Sequence, residues 1–371
     1  MSHHYHLSNV AEIPSPALVF FPDIIRGNIR AVIKQAGSAD RLRPHVKTHK
    51  TAEIVQMQLL AGVTKHKCAT IAEAEMLADA GVPDVLISYP LVGPNVGRLA
   101  KLRQKFPGVR FSALVDHPSA VAPLAAAATT GNPVELFVDV NMGMDRTGIA
   151  IEQVPELYRQ IAATPGLKAV GLHCYDGHIN QASHSDREAA VWAKLTPVLE
   201  MRAAIEAAGM PVPTLVCGGT PGFPVYATIT DVPGLECSPG TYVLHDNNYG
   251  STYSDMPGVV PAAVIVSRVV SRPTANRVTL DVGNKSVAAD PPLAKRVHLL
   301  DFPPHTPVTH SEEHYVVETP HADRYTPGDV VYVIPGHVCP SVALHREALV
   351  AEGGRVVGSW KVTARDRKLT V

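Results

Sequence analysis

The sequence has almost no net charge. Its 33 lysines and arginines and 34 aspartates and glutamates leave −1 across 371 residues, which removes nucleic acid as a bulk electrostatic partner. Long apolar runs are also missing: no stretch approaches the ~20 residues of a membrane span. The opening "MSHHYHLSNVAEIPSP" has neither the basic start nor the apolar run of a secretory signal. A soluble, cytoplasmic protein with no membrane partner is expected. No cysteine framework exists either, because Cys68, Cys174, Cys217, Cys237 and Cys339 are scattered and odd in number. Reduced thiols, mostly buried, are expected. Internal repeats, low-complexity segments, the P-loop and the dinucleotide-binding glycine fingerprint are absent. His3, His4 and His6 resemble a metal cluster, but a chain terminus holds ligands poorly, and solvated side chains are expected there.

What the chain does have is alternation. From about residue 17 to 250, short apolar runs ("ALVFF", "LRPHVKT", "KHKCAT", "VLISYP", "FSALVD", "VELFVDVN", "AVGLHCY", "TLVCGG", "LECSPGTYV") are separated by amphipathic stretches such as "TIAEAEMLADAG". About eight such units imply parallel strands with right-handed crossovers, and they fit a (β/α)8 TIM-type barrel better than an open doubly wound sheet. Beyond residue 250 the texture changes to β-branched runs separated by turn residues, as in "AAVIVSRVVS" and "DVVYVIPGHV". These read as an antiparallel β domain. The predicted organisation is a barrel over residues 14–250 and a predominantly β domain over 251–371.

Several clusters carry chemistry. In "RLRPHVKTHK" (41–50), strand spacing sends Arg43, His45, Lys47 and His49 to one face. A lysine crowded by cations is a nucleophilic amine suited to Schiff-base work; an exposed basic strand is the plainer alternative. "VDVNMGMDRTGI" places Arg146 beyond a glycine turn, where a surface ion pair is the ordinary reading. "GLHCYDGHIN" gathers His173, Tyr175, Asp176 and His178 at a strand's C-terminal end, where barrel sites lie. The turns "CGGTPGFP" and "CSPGTY" offer open N–H groups with Thr220 and Thr241 hydroxyls, suiting a single phosphate or simply turning the chain. In "GHVCP", His337 and Cys339 lie two apart, so on an extended chain both point the same way. Imidazole plus thiolate is half a zinc ligand set with open positions for catalysis; a buried unligated pair is the alternative.

In this order the segments resemble the fold type III, alanine racemase-like pyridoxal phosphate enzymes, specifically the D-threonine aldolase and D-serine dehydratase group. "RPHVKTHK" is similar to the segment whose lysine holds the cofactor, which implicates Lys47 with His45 beside it. "MGMDRTGI" resembles the segment whose arginine approaches the cofactor's phenolic oxygen, implicating Arg146. "GGTP" and "SPGTY" match the phosphate grip, implicating Gly219, Thr220, Gly240 and Thr241. The resemblance makes Tyr175, His173 and His178 candidates for stacking on the cofactor or moving protons. It makes His337 and Cys339 ligands of a divalent metal, zinc first, with manganese or magnesium as alternatives. It also implies that about residues 1–13 join the β domain and that the chain is a homodimer acting on a small D-amino acid.

The activity implied is a lyase on a D-β-hydroxy-α-amino acid. Two departures bear on it. Ser238 stands where racemases of this fold carry an arginine facing the pyridine nitrogen, and Gln181 stands where the aldolases carry a histidine acting on the β-hydroxyl. With zinc as Lewis acid, Gln181 tilts the expectation to β-elimination, giving a 2-oxo acid and ammonia. Retro-aldol cleavage to glycine and an aldehyde is the alternative. A racemase and a non-catalytic cofactor carrier are the further ones.

Overall fold

The structure, a computed structural model, describes residues 5–129 and 131–371; His3 and His4 lie outside them. It divides into two compact units. One comprises Met1–Ala31, Thr48–Ile54 and Thr241–Arg365, the other Val32–Lys47, Val55–Gly240 and Asp366–Val371.

The strand expected to start the barrel, β1 (Ala17–Phe20), does not join it. The parallel sheet of the second unit consists of β2 (Lys65–Cys68), β3 (Asp84–Pro90), β4 (Arg110–Val115), β5 (Val134–Asp139), β6 (Leu167–Cys174), β7 (Thr214–Cys217) and β8 (Leu235–Cys237), paired in chain order. The eighth stave is irregular. Residues 42–45 lie along both sheet edges through bridges from Leu42 to Cys237 and from His45 to Lys67. Arg43 N donates to Cys237 O at 2.9 Å and Lys67 N to Pro44 O at 2.9 Å. Pro44, with no N–H to give and a fixed φ, keeps this stretch from becoming a ladder strand. Helices such as Ile71–Asp79 and His184–Ala207 fill the connections. The first is started by Thr70, whose side chain accepts from Glu73 N.

Inside this unit, Leu86, Leu114, Phe137, Val170 and Val216, one from each of β3 to β7, form a buried core layer. At the strands' N-terminal ends charges alternate in sign. Lys65 bonds Glu236 at 2.7 Å, Glu236 bonds Arg43 at 2.6 Å, and Arg43 bonds Asp84 at 2.6 Å. Arg110 then links Asp84 at 2.8 Å to Glu135 at 2.5 Å. Polar chemistry at the opposite, C-terminal end is what a barrel of this kind uses for function.

The other unit is a mixed sheet in which β1 lies between β9 (Ala263–Thr274), antiparallel, and β15 (Glu347–Glu352), parallel. Its further strands are β10 (Arg277–Leu280), β11 (Val297–Leu299), β12 (Thr306–His310), β13 (Tyr315–Glu318), β14 (Val330–Pro335) and β16 (Arg355–Lys361). Tyr5, Leu7, Ile13, Val19, Phe21, Val264, Val266, Tyr332 and Ile334 share one core. "ALVFF" therefore reads as a buried strand correctly, but periodicity does not say which sheet buries it. No helix among the described residues is long and apolar enough to cross a membrane. His6 is exposed.

Candidate functional site

The basic decapeptide is not a strand with one charged face. A 3-10 turn over Val46–Thr48 breaks the two-residue period, and Val46, Thr48 and His49 are all buried. Its cations have separate duties. Arg41 donates to Ala36 O, Ala227 O and Ile229 O at 2.6–2.8 Å, satisfying carbonyls at two helix ends. Arg43, 1 % exposed, is tied to Asp84 and Glu236. Burial alone would lower its guanidinium, but the two carboxylates raise it above the ordinary value. His49 is pushed down to about 3 by burial and is neutral. The turn leaves Lys47 half-buried, with its own N–H donated to His45 Nδ1 at 3.1 Å. His45 Nε2 lies 3.4 Å from Ser88 Oγ.

Lys47 faces the Tyr175 ring, with Nζ 5.8 Å from its centroid. Two further cations attend the same ring: Lys67 Nζ at 5.5 Å and Arg146 Cζ at 5.0 Å. Three cations about one aromatic ring repel one another, so an anionic group seated among them is favoured. His173 stacks with the same ring at 6.5 Å with 15° between planes. Its Nδ1 bonds Asp139 Oδ1 at 2.6 Å, and its Nε2 lies 3.3 Å from Lys67 Nζ. Burial first, then the charge of Lys67, lowers His173 below its ordinary value. Asp139 stays below the usual carboxylate range although burial opposes this, because His173 sits against it.

The glycine turn after β7 adjoins this cluster. A Cβ at Gly219 would come 3.1 Å from Tyr175 Cε2, and one at Gly177 only 2.2 Å from Tyr175 Oη. Thr220 Oγ1 accepts from Gly240 N at 3.1 Å, which draws the turns after β7 and β8 together. This is a small backbone cradle of the kind that takes one phosphate. Gly177→Ala is therefore expected to displace the Tyr175 ring and weaken anion or cofactor binding about tenfold, ~1.4 kcal/mol. Cofactor titration with a matched thermal melt measures it.

The remaining predicted residues are placed less centrally. His178 Nδ1 is buried without a hydrogen-bond partner, and its Nε2 lies beside Gly143 with Lys194 Nζ. Asp176 is turned to Tyr226, whose hydroxyl donates to Oδ2 at 2.6 Å. Ser238 Oγ donates to Arg43 O at 2.8 Å, so its proton is committed to the backbone. Gln181 is exposed.

His337, Cys339 and Thr241 belong to the unit with the mixed sheet. The extended-chain argument for His337 and Cys339 fails, because a helix runs from Val338 to Leu344 and His337 is its N-cap. The two side chains nevertheless share a hydrogen bond. Burial opposes the charged His337 ring, but a hydrogen bond to Cys339 and the Asp290 carboxylate raise it to about 9. Asp290 Oδ2 lies 2.5 Å from His337 Nδ1, a carboxylate–imidazole pairing common to metal-binding histidines. Cys339 Sγ also lies 3.2 Å from Thr48 Oγ1 and 3.7 Å from Thr241 Oγ1. No group of three or more His, Cys, Asp and Glu residues suited to a metal occurs among the described residues. Imidazole and thiol are donors that borderline cations prefer. Lys67, Asp139 and Asp290 were not anticipated. "KHKC" offered the lysine's strand position as its signal, whereas nothing local marks Asp290.

Comparison with known proteins bears on the fold. Residues 22–243 match the model for the alanine racemase N-terminal domain, and residues 262–351 that for a putative serine dehydratase domain. A D-threonine aldolase from Arthrobacter sp is 30 % identical over 96 % of this chain and 94 % of its own. A 3-hydroxy-D-aspartate aldolase from Paracoccus denitrificans is 30 % identical over 96 % and 93 %. The crystal structure of D-threonine aldolase from Filomicrobium marinum superposes with a TM-score of 0.86 at 28 % identity, covering 96 % and 97 %. The barrel and β-rich fold, the lysine-bearing stave and both domain matches point one way: the chain belongs to the alanine racemase-like family, among its pyridoxal phosphate-dependent lyases acting on D-hydroxy amino acids.

Proposed function

We propose that the protein cleaves a D-3-hydroxy amino acid between Cα and Cβ, giving glycine and an aldehyde, with pyridoxal phosphate attached to Lys47. The observation that carries the reading is the convergence of Lys47, Lys67 and Arg146 on the Tyr175 ring beside the Gly219–Thr220 turn. That donor set fits an anionic aromatic aldehyde with one phosphate. When bound, the cofactor supplies an electron sink for the bond broken at Cα. Lys47 provides the amine that holds it and can carry a proton at Cα. Tyr175 supplies a flat wall, Arg146 a cation for an oxyanion, and the Gly219–Thr220 turn the phosphate contacts. The His173–Asp139 pair fixes the imidazole tautomer, with Nδ1–H toward the carboxylate.

His337 and Cys339, oriented by Asp290, fit a divalent cation, and thiolate with imidazole favours zinc. Such an ion supplies Lewis-acid polarisation of a substrate oxygen. His337→Ala is expected to remove metal-stimulated turnover by ~10²-fold or more while leaving the visible cofactor absorbance in place. Assays with and without added zinc or manganese measure this.

The identity shared with two aldolases supports carbon–carbon cleavage. β-Elimination to a 2-oxo acid and ammonia is the second reading, favoured by Gln181 at the position of the aldolases' histidine. Incubation with D-threonine, D-serine and D-3-hydroxyaspartate decides between them. Glycine with an aldehyde supports the first reading; a keto acid with ammonia sinks it in favour of the second. D-to-L conversion alone, unaffected by chelator, overturns both.

A further inference from the structure

Lys67 is a buried cation to which the proposed mechanism gives no role beyond its charge beside the Tyr175 ring. It lies on β2, 2 % exposed, between the Tyr175 ring and His173. A buried ammonium without compensation is costly, yet its compensation here is indirect. Asp139 holds the proton on His173 Nδ1, so the Nε2 lone pair is left to accept from Lys67 at 3.3 Å. Asp139 from β5, His173 from β6 and Lys67 from β2 form a chain that ends beside the Tyr175 ring, which Lys47 also approaches. The charged and titratable groups facing Lys67 are Lys47, Asp139, Cys217, Asp176 and His173. Burial first, then the charge of Lys47, lowers its ammonium to about 7, with Asp139, Cys217 and Asp176 pulling the other way.

The geometry points to Lys67 as a positioning residue that acts through Lys47: held by the Asp139–His173 pair, its charge biases protonation at the linkage between Lys47 and the cofactor. This rests on the reading of Lys47 as the cofactor lysine. A lysine this close to neutrality changes charge within the working range, so the protein gains a local cation on acidification and loses it on alkalinisation. The device depends on the relay's geometry, because His173 Nε2 is the acceptor that holds the ammonium at its buried end.

The test uses the holoprotein and two variants of opposite effect. Lys67→Met removes the charge and should raise the pH midpoint of the cofactor's visible absorbance change by about one unit. Lys67→Arg retains a charge at every pH and should lower it. Structural damage does not produce shifts of opposite sign. A second readout needs no cofactor: in the cofactor-free protein, modification of Lys47 by an amine-reactive reagent, followed by peptide mass spectrometry, should slow several-fold at pH 7 in Lys67→Met. If neither variant moves the absorbance midpoint or the labelling rate, the inference is overturned, and shifts of the same sign in both overturn it equally. Lys47→Ala separates the two failures. Cofactor absorbance that persists in Lys47→Ala refutes the reading of Lys47 itself; absorbance lost there, with Lys67 variants inert, refutes only the role of Lys67.

Discussion

Lys47→Ala is expected to lower turnover at least ~10³-fold, the scale set by removing a positioned proton-transfer group together with a covalent anchor. The fold should survive, because the contact Lys47 makes within its turn is from its backbone N–H to His45 Nδ1, which alanine keeps. Far-ultraviolet circular dichroism should therefore be unchanged while the visible absorbance of bound cofactor disappears. Lys67 is the nearest rival amine at the Tyr175 ring, but its Nζ is engaged by His173 Nε2. It is not expected to take over the attachment. Turnover within tenfold of the parent in the alanine variant would contradict the assignment.

Arg43→Met is expected to cost ~3–5 kcal/mol of stability, the range for removing one partner from a buried ion cluster. The side chain is 1 % exposed and spans two carboxylates, Glu236 at 2.6 Å and Asp84 at 2.6 Å. Methionine fills much of the volume but leaves both acids short of a cation. Urea unfolding of parent and variant measures the loss as a lower midpoint at similar slope. Acid should reveal the same network. Burial would raise the Asp84 carboxyl, yet Arg43 and Arg110 hold it below its ordinary 3.8. A depressed carboxyl stabilises the fold above its unfolded value, and that contribution is lost as pH falls through the folded one. The parent should thus lose stability steeply below about pH 4, and Arg43→Met should show a shallower decline. A variant as stable as the parent at pH 7 would mean that the alternating charges at the strand ends contribute nothing.

The fold class was legible because parallel strands buried on both faces are written as apolar runs, and "FSALVD", "VELFVDVN" and "TLVCGG" carry that mark plainly. What periodicity could not supply was partnership. "ALVFF" has the same texture as the barrel strands but pairs with β9 and β15, an assignment fixed by contacts more than 200 residues away. Likewise β11 and β12, "VHL" and "TPVTH", are too short and too polar to register as strands alone. At the site, Lys47 and Arg146 were singled out through the motifs that carry the resemblance, while their common approach to Tyr175 is a tertiary fact. Arg43 looked like part of the same basic face and is instead a structural ion at the strands' other end. For His337 and Cys339 the extended-chain argument does not hold, since a helix starts between them. Asp290 is 47 residues from His337 and carries no signal of its own.

The most direct measurement is borohydride reduction of the cofactor-loaded protein followed by proteolysis and mass spectrometry of the labelled peptide. A covalent pyridoxyl mass confined to the peptide containing Lys47 is the result expected. Label on the peptide containing Lys67, or no label on a protein that retains D-hydroxy amino acid cleavage, would contradict it.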